Sequence, residues 1–125
     1  MSARFEGLLE LDTGKEVRVL FTNRALAEAE QQMGKGVIGV AQGFASGQTG
    51  LFELAHLLRA GMEFARRDAR VGGKPVSLND AYEVLDTAGF TRTAQVVMET
   101  LAAVLSYDPA NALPDGSAGN GADPN

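Results

Sequence analysis

The residue types that carry most enzyme and metal chemistry are scarce in this chain. His56 is the only histidine, and there is no cysteine. A protein metal site usually needs several His or Cys ligands, and nucleophilic catalysis needs a base and an acid placed around a nucleophile. The sequence supplies no such partners to His56. We therefore expect His56 to lie on a helix surface or at its boundary, and we expect no catalytic residue, no cofactor site and no metal site.

Carboxylates are common, but their spacing is typical of solvated helices. Glu28 and Glu30 lie at surface spacing from Arg24, and Glu63 precedes Arg67 by four residues. An acid four residues before a base forms a favourable pair on a helix surface. Ion pairs of this kind explain why these acids are present, so the sequence gives no reason to expect a catalytic acid–base pair.

Two glycine-rich segments and one basic segment suggest phosphate chemistry at first sight. Gly34-Lys35-Gly36 and residues 47–50 lack the Gly-x-x-x-x-Gly-Lys-Ser/Thr spacing of a phosphate-binding loop, and neither follows a buried strand. Residues 59–74 contain five bases against Glu63 and Asp68, a net charge of +3 that suits an acidic partner or a phosphate. Positive charge is also favoured at a helix C-terminus by the helix dipole, which is the interpretation that we prefer.

The composition indicates a globular chain with an acidic balance. The 125 residues are 45% hydrophobic and 22% charged, which suffices for one domain to bury a core without disulfides. The net charge of −5 has the wrong sign for a protein that binds nucleic-acid phosphates. Residues 1–12 contain acids and no long apolar run, so we expect neither a signal peptide nor a membrane span.

Near Thr22 the spacing of hydrophobic residues changes from every second residue to a period of about 3.6 residues. Alternation over residues 5–21, with a turn at 12–15 in which Gly14 adopts a positive φ, predicts a β-hairpin. Thr22 or Asn23 caps the first helix. The remaining pattern predicts helices over 23–33, 37–44, about 50–70, about 77–89 and about 90–107. The predicted fold is therefore α+β: an N-terminal β-hairpin followed by a compact bundle of four to five helices.

The composition changes after Tyr107. Residues 108–125 are rich in Gly, Pro, Asn, Ala and Asp, and they contain three acids and no base. Such a segment buries too little apolar surface to offset the entropy lost on ordering. We therefore predict one folded domain over 1–107 and a disordered acidic tail over 108–125.

Helical spacing predicts which apolar side chains face the core. The stripes are Leu26, Ala29 and Met33; Leu51, Leu54, Ala55, Leu58, Met62 and Ala65; Leu78, Ala81, Val84 and Leu85; and Phe90, Ala94, Val97, Leu101 and Val104. Seven apolar or aromatic residues lie off these stripes: Leu8, Leu20, Val40, Phe44, Phe52, Leu57 and Phe64. These seven either complete the core or, where they are exposed together, form a partner site. Leu8, Leu20, Phe52 and Phe64 are our candidates for protein binding.

The order of the helical motifs resembles a known family. Residues 25–34 read ALAEAEQQMG, residues 51–62 read LFELAHLLRAGM, and residues 77–86 read SLNDAYEVLD. Together with the preceding hairpin and the closing apolar helix, this order resembles the tail assembly chaperones of long-tailed phages and gene transfer agents over about residues 5–107. The glycine-rich stretch 36–43 departs from the family pattern by being less helical.

The resemblance implies a non-enzymatic role in phage tail assembly. Such chaperones bind the tape measure protein, a long and partly hydrophobic helical chain, keep it soluble and recruit tail tube subunits around it. It also implies a place in the host cell cytoplasm, absence from the mature virion and, in many members, a second form made by ribosomal frameshifting. We further expect self-association through the hairpin, since edge strands carry unpaired backbone groups.

Two other classes of protein compete with this interpretation. A structural tail subunit, such as a tail tube or tail completion protein, is usually rich in β-strand, whereas only about the first twenty residues here alternate as strands do. A small DNA-binding regulator needs a basic recognition helix, and the acidic balance disfavours it. Protein binding remains the leading hypothesis, with the structural tail subunit as the alternative.

Overall fold

A computed structural model of the protein describes residues 5–11 and 13–108. Within them lie two strands and five helices, which confirms the predicted α+β fold with an N-terminal hairpin. The elements are β1 (Phe5–Glu10), β2 (Glu16–Phe21), α1 (Asn23–Met33), α2 (Val37–Ala45), α3 (Leu51–Ala69), α4 (Leu78–Ala88) and α5 (Phe90–Leu105). Apart from Asp108, the predicted tail lies outside the described residues, as does Asp12 of the predicted turn.

The hairpin is antiparallel and presents one apolar face to the helices. Phe5 lies opposite Phe21, and Leu9 lies opposite Val17. Directly opposite residues share a face of the sheet. Gly14 closes the turn with a φ of 88°, as predicted. The shared face carries Phe5, Leu9, Val17, Val19 and Phe21, and all five belong to the core or pack against it.

Two glycines allow helices to approach the hairpin closely. Gly61 of α3 lies against Val19 and Phe21, and a side chain at Gly61 would overlap the Val19 side chain. On the other strand, Gly7 lies against Val96 and Thr100 of α5. The hairpin is therefore held by α3 beneath β2 and by α5 beneath β1.

The predicted helix caps are present. The Thr22 hydroxyl accepts a hydrogen bond from the backbone N–H of Ala25 at 3.1 Å, and Gly34 ends α1 in the left-handed conformation. The Ser77 hydroxyl accepts from the N–H of Asp80, while the Asp80 carboxylate accepts from the N–H of Ser77, each at 3.0 Å. These bonds satisfy N–H groups that a helix start otherwise leaves unpaired.

The predicted core is confirmed in its centre and wrong at two helix starts. Leu54, Leu58 and Leu101 are completely buried. Leu51 and Phe90, by contrast, are 56% and 41% exposed. Each is the first residue of its helix. At that position the 3.6-residue period still assigns the side chain to the apolar stripe, but the neighbouring elements leave much of it uncovered.

Candidate protein-binding surface

The structure brings together only two of the four predicted protein-binding residues. Leu20 and Phe64 line one shallow depression of about 370 Å³, although Leu20 itself is buried at its floor. Leu8 and Phe52 are 55% and 48% exposed and do not line this depression. Leu8 lies on the same face of the hairpin as Leu20, whereas Phe52 lies in the first turn of α3. The four residues therefore do not form a single contact patch.

Two of the three charged residues that line the Leu20–Phe64 depression, Arg67 and Asp68, form ion pairs within the protein. The Arg67 guanidinium lies 4.6 Å from the centre of the Phe64 ring and pairs with Glu63 at 2.7 Å and Glu28 at 3.6 Å. The pairing of Arg67 with Glu63 confirms the predicted helical ion pair, but the predicted solvated position was wrong, because Glu63 is buried. Asp68 pairs with Arg18 of the hairpin at 3.2 Å. Arg70 also lines the depression, and among the described residues it forms no ion pair, so the lining keeps one uncompensated positive charge.

Glu63 is the most deeply buried carboxylate of this region. Its oxygens accept hydrogen bonds from Arg66 at 2.8 and 2.9 Å, from Arg67 at 2.7 Å and from the N–H of Val76 at 2.8 Å. The Arg66 hydrogen bonds, with those from Val76 and Arg67, lower the pKa of Glu63 to about 2 against the opposing effect of burial. A carboxylate held ionised in this way fastens the α3–α4 connection and is poorly suited to exchange protons near neutral pH.

His56 is buried, so the expectation of a surface or boundary position was wrong. It lies on α3, which the hairpin and the other helices surround, and its ring meets that of Phe52 edge-on with centres 4.5 Å apart. Burial lowers the pKa of His56, the charge of Arg59 lowers it further, and Glu53 acts in the opposite direction. Within residues 5–11 and 13–108, no group of three or more His, Cys, Asp or Glu residues is placed to hold a metal.

The sequence analysis missed an apolar concave surface that lies between α2 and α5. This α2–α5 groove has a volume of about 500 Å³, and none of its lining residues is charged. The rings of Phe44 and Phe90 lie 6.5 Å apart within it. Its lining consists of Ala41, Phe44, Ala45, Phe90, Thr91, Ala94, Gln95, Met98 and Ala102.

One face of α5 forms the longer wall of this groove. Ala94, Met98 and Ala102 recur every four residues and so share a helix face. Leu105, 41% exposed, continues the same face at i+11 from Ala94. At 1.5 Å per residue, the wall from Phe90 to Ala102 is about 18 Å long, or roughly three helical turns.

The shorter wall, α2, contains no charged residue in the sequence VIGVAQGFA. Two side chains fasten it: the Glu30 carboxylate accepts from the N–H of Val37 at 2.9 Å, and the Thr49 hydroxyl donates to the Val40 carbonyl at 2.7 Å. A short helix that is uncharged on every side needs cover from a core or a partner. The absence of charged residues from this segment is visible in the sequence. The packing of α2 beside α5 is not.

One residue of the groove lining is hydrogen-bonded to a carboxylate on a neighbouring face of α5. The Gln95 side chain, which lines the groove, donates from Nε2 to Glu99 Oε2 at 3.4 Å. Glu99 is exposed, and among the described residues no cation pairs with it. Glu99 itself lines a separate depression beside Glu6 and Leu8 of β1, so it lies toward the hairpin, and the groove lining is uncharged.

Comparison of the chain with protein-family models, with curated proteins and with solved structures finds no match. In the part of the chain that the structure describes, no helix combines the length and the apolar character needed to cross a membrane. A function is therefore inferred from the groove together with the sequence motifs.

Proposed function

We propose that this protein is a phage tail assembly chaperone that binds hydrophobic helical segments of a tape measure protein in the α2–α5 groove. The observation that carries the proposal is an open groove about three turns long with no charged lining residue. The order of the motifs over residues 25–34, 51–62 and 77–86 adds the resemblance to this family. Binding keeps the tape measure soluble in the host cytoplasm and helps recruit tail tube subunits.

The groove suits an amphipathic helix better than an extended peptide. A helix lays apolar side chains at i, i+4 and i+7 into a groove, whereas an added strand needs an open row of backbone groups. Both walls here are helices, whose backbone N–H and C=O groups are bonded internally. Small side chains at Ala41, Ala45, Ala94 and Ala102 leave room for a partner backbone to approach.

The acidic balance supports the chaperone role. A long chain with an apolar face aggregates unless that face is covered, and the chain that covers it must remain soluble. A net charge of −5 on 125 residues gives mutual repulsion between complexes. A contact of only about three turns also allows tail tube subunits to displace the chaperone later, so that it stays out of the finished particle.

Co-expression with the tape measure protein tests this function. The tape measure should be soluble with the chaperone and insoluble without it. Ala102→Arg places a charge in the groove at an exposed position and should abolish this protection. Ala27→Arg makes the same change at an exposed position of α1, outside the groove, and should leave protection intact. Both variants should keep the wild-type circular dichroism spectrum.

Two outcomes would contradict the proposal. Equal solubility of the tape measure with and without this protein would remove the chaperone function. Abundant copies of this protein in purified particles would instead support the alternative, a structural tail subunit such as a tail tube or tail completion protein.

A further inference from the structure

We propose that the outer edge of β1 binds an extended segment of another protein as an added strand, and that this segment carries a lysine or arginine toward Glu99 of α5. The basis is the juxtaposition of outward-facing backbone groups along β1 with a depression beside it that contains acids and no base. This surface shares no lining residue with the α2–α5 groove. The inference therefore goes beyond the proposed function and does not depend on it.

The hydrogen-bonding register of the hairpin determines which backbone groups point outward. The N–H of Leu11 donates to the carbonyl of Lys15 at 2.8 Å. Hydrogen-bonded pairs recur at every second position of an antiparallel ladder, so the residues between them, Glu6, Leu8 and Glu10, direct their N–H and C=O groups away from β2. Among the described residues, no other backbone group bonds to Leu8 or Glu10 at this edge. A row of such groups can accept a further strand.

The edge of β2 is flanked by α3 instead. The Arg18 side chain pairs with Asp68 of α3 at 3.2 Å, and Leu20 is buried beside Phe64 of the same helix. Leu8, which lies on the same face of the hairpin, is 55% exposed. The accessible edge of the hairpin is therefore that of β1.

A depression of about 190 Å³ between β1 and α5 specifies the chemistry of the added strand. Alternate side chains of that strand point to the helix side, where they meet Val96, Ala103 and Glu99. Among the described residues no cation pairs with Glu99, and the neutral Gln95 amide that donates to it at 3.4 Å leaves its charge intact. A base at one helix-side position compensates this charge, and an apolar residue opposite Leu8 covers the exposed side chain.

A second copy of β1 is a poorer occupant of this edge than a basic strand. In a two-fold antiparallel pairing that uses the whole strand, Leu8 meets its own copy, and Glu6 lies directly opposite Glu10 on both sides of it. Like charges directly opposite each other destabilise a sheet. The self-association through the hairpin that the sequence led us to expect is therefore the less favoured use of this edge.

Short alternating peptides provide the probe. Three peptides of about nine residues, long enough to pair with all of β1, place valines on one face and carry lysine, glutamine or glutamate at the centre of the other. Their dissociation constants for the full chain are measured by fluorescence anisotropy at low salt and at about 0.5 M salt. The lysine peptide should bind roughly three-fold more tightly than the glutamine peptide at low salt, as expected for one exposed charge pair.

Methylation of the peptide backbone tests the strand pairing itself. In an antiparallel pairing the valines opposite Leu8 direct their N–H groups to β1, whereas the alternate residues direct theirs to solvent. N-methylation of two valines should therefore weaken binding about ten-fold or more, and N-methylation of two alternate residues should change it little.

Three variants of the protein locate the contact. The preference for lysine should disappear in Glu99→Gln and at high salt, and it should persist in Glu83→Gln, which changes an exposed acid of α4 outside the depression. Phe90→Ala alters the α2–α5 groove and not the depression, so it should leave peptide binding unchanged.

Four results would overturn the inference. Equal effects of the two methylation patterns, or no binding of any peptide, would exclude strand addition at β1. A lysine preference that survives in Glu99→Gln would exclude the proposed partner chemistry. A stable dimer in sedimentation that Leu8→Pro dissociates, with an unchanged circular dichroism spectrum, would assign the edge to a second copy. The groove is tested separately by co-expression with the tape measure, so its function stands or falls independently.

Discussion

The carboxylate of Glu63 accepts a hydrogen bond from the backbone N–H of Val76 at 2.8 Å. One turn earlier on α3, Arg59 donates to the carbonyl of the same residue at 3.3 Å. Both backbone groups of Val76 are thus held by buried side chains of α3, one helical turn apart. Since Val76 directly precedes the cap of α4 at Ser77, this clamp fixes where α4 begins.

The first prediction concerns the acid side of the stability profile. Because the pKa of Glu63 is lowered from 4.5 to about 2 in the folded state, its contribution is complete above about pH 4.5 and is lost as the pH falls toward 2. Glu63→Gln should cost about 3 kcal/mol of unfolding free energy at pH 7. Urea unfolding between pH 7 and pH 2.5 measures this. The exposed control Glu83→Gln should change little, and an equal loss in both variants would contradict the clamp.

The second prediction concerns mildly acidic pH. Burial, aided by Arg59, lowers the pKa of His56 in the folded state, so the unfolded chain takes up a proton that the folded chain resists. Stability should therefore fall as the pH drops below about 6.5, the ordinary value for histidine. His56 is the only histidine, so His56→Leu should flatten the profile between pH 7 and 5.5. A flat wild-type profile in that range would show that His56 titrates normally.

The hairpin, the helix caps and the middle of each apolar stripe were predictable because each depends on local spacing. Thr22, Gly34 and Ser77 act on backbone groups within a few residues of themselves. The burial of His56 was not predictable, because it depends on the packing of β2, α1, α4 and α5 around α3. The groove was missed for a similar reason: Phe90 and Ala94 fit a core-facing period, and only the placement of α2 shows that they face a concave surface instead.

The third prediction contrasts two glycines inside helices. A side chain at Gly39 of α2 would meet nothing within 4 Å, whereas one at Gly61 of α3 would overlap Val19 and press on Phe21. Gly39→Ala should stabilise the protein by about 0.5–1 kcal/mol, because alanine loses less entropy in a helix. Gly61→Ala should destabilise it by about 1–3 kcal/mol through overpacking. Thermal unfolding measures both, and a rise in Tm for Gly61→Ala would refute the close approach of α3 to the hairpin.

The fourth prediction tests the centre of the core. Leu58 is completely buried, whereas Ile38 on α2 is 60% exposed. Leu58→Ala should cost about 2–5 kcal/mol, from lost burial and the cavity that remains. Ile38→Ala should stay within about 0.5 kcal/mol, as most surface substitutions do. The midpoints of denaturant unfolding, compared at an unchanged dependence of the unfolding free energy on denaturant concentration, report both values. Similar costs for the two variants would place Leu58 outside the core.

The last prediction decides between the groove and the contact residues expected from the sequence. Phe90 lines the groove and Phe52 does not, yet the two have the same side chain, comparable exposures of 41% and 48%, and places in the first turns of their helices. Replacing either by alanine should therefore cost similar and modest stability. An aromatic side chain that anchors a contact commonly contributes about 2 kcal/mol or more to binding.

Phe90→Ala should accordingly weaken binding of a tape measure segment by at least about ten-fold, while Phe52→Ala should leave it nearly unchanged. Isothermal titration with a soluble tape measure fragment measures both affinities, and circular dichroism checks that both variants are folded. The reverse pattern, with Phe52 required and Phe90 dispensable, would move the partner surface to the first turn of α3. The groove would then be an apolar face with no part in binding this partner.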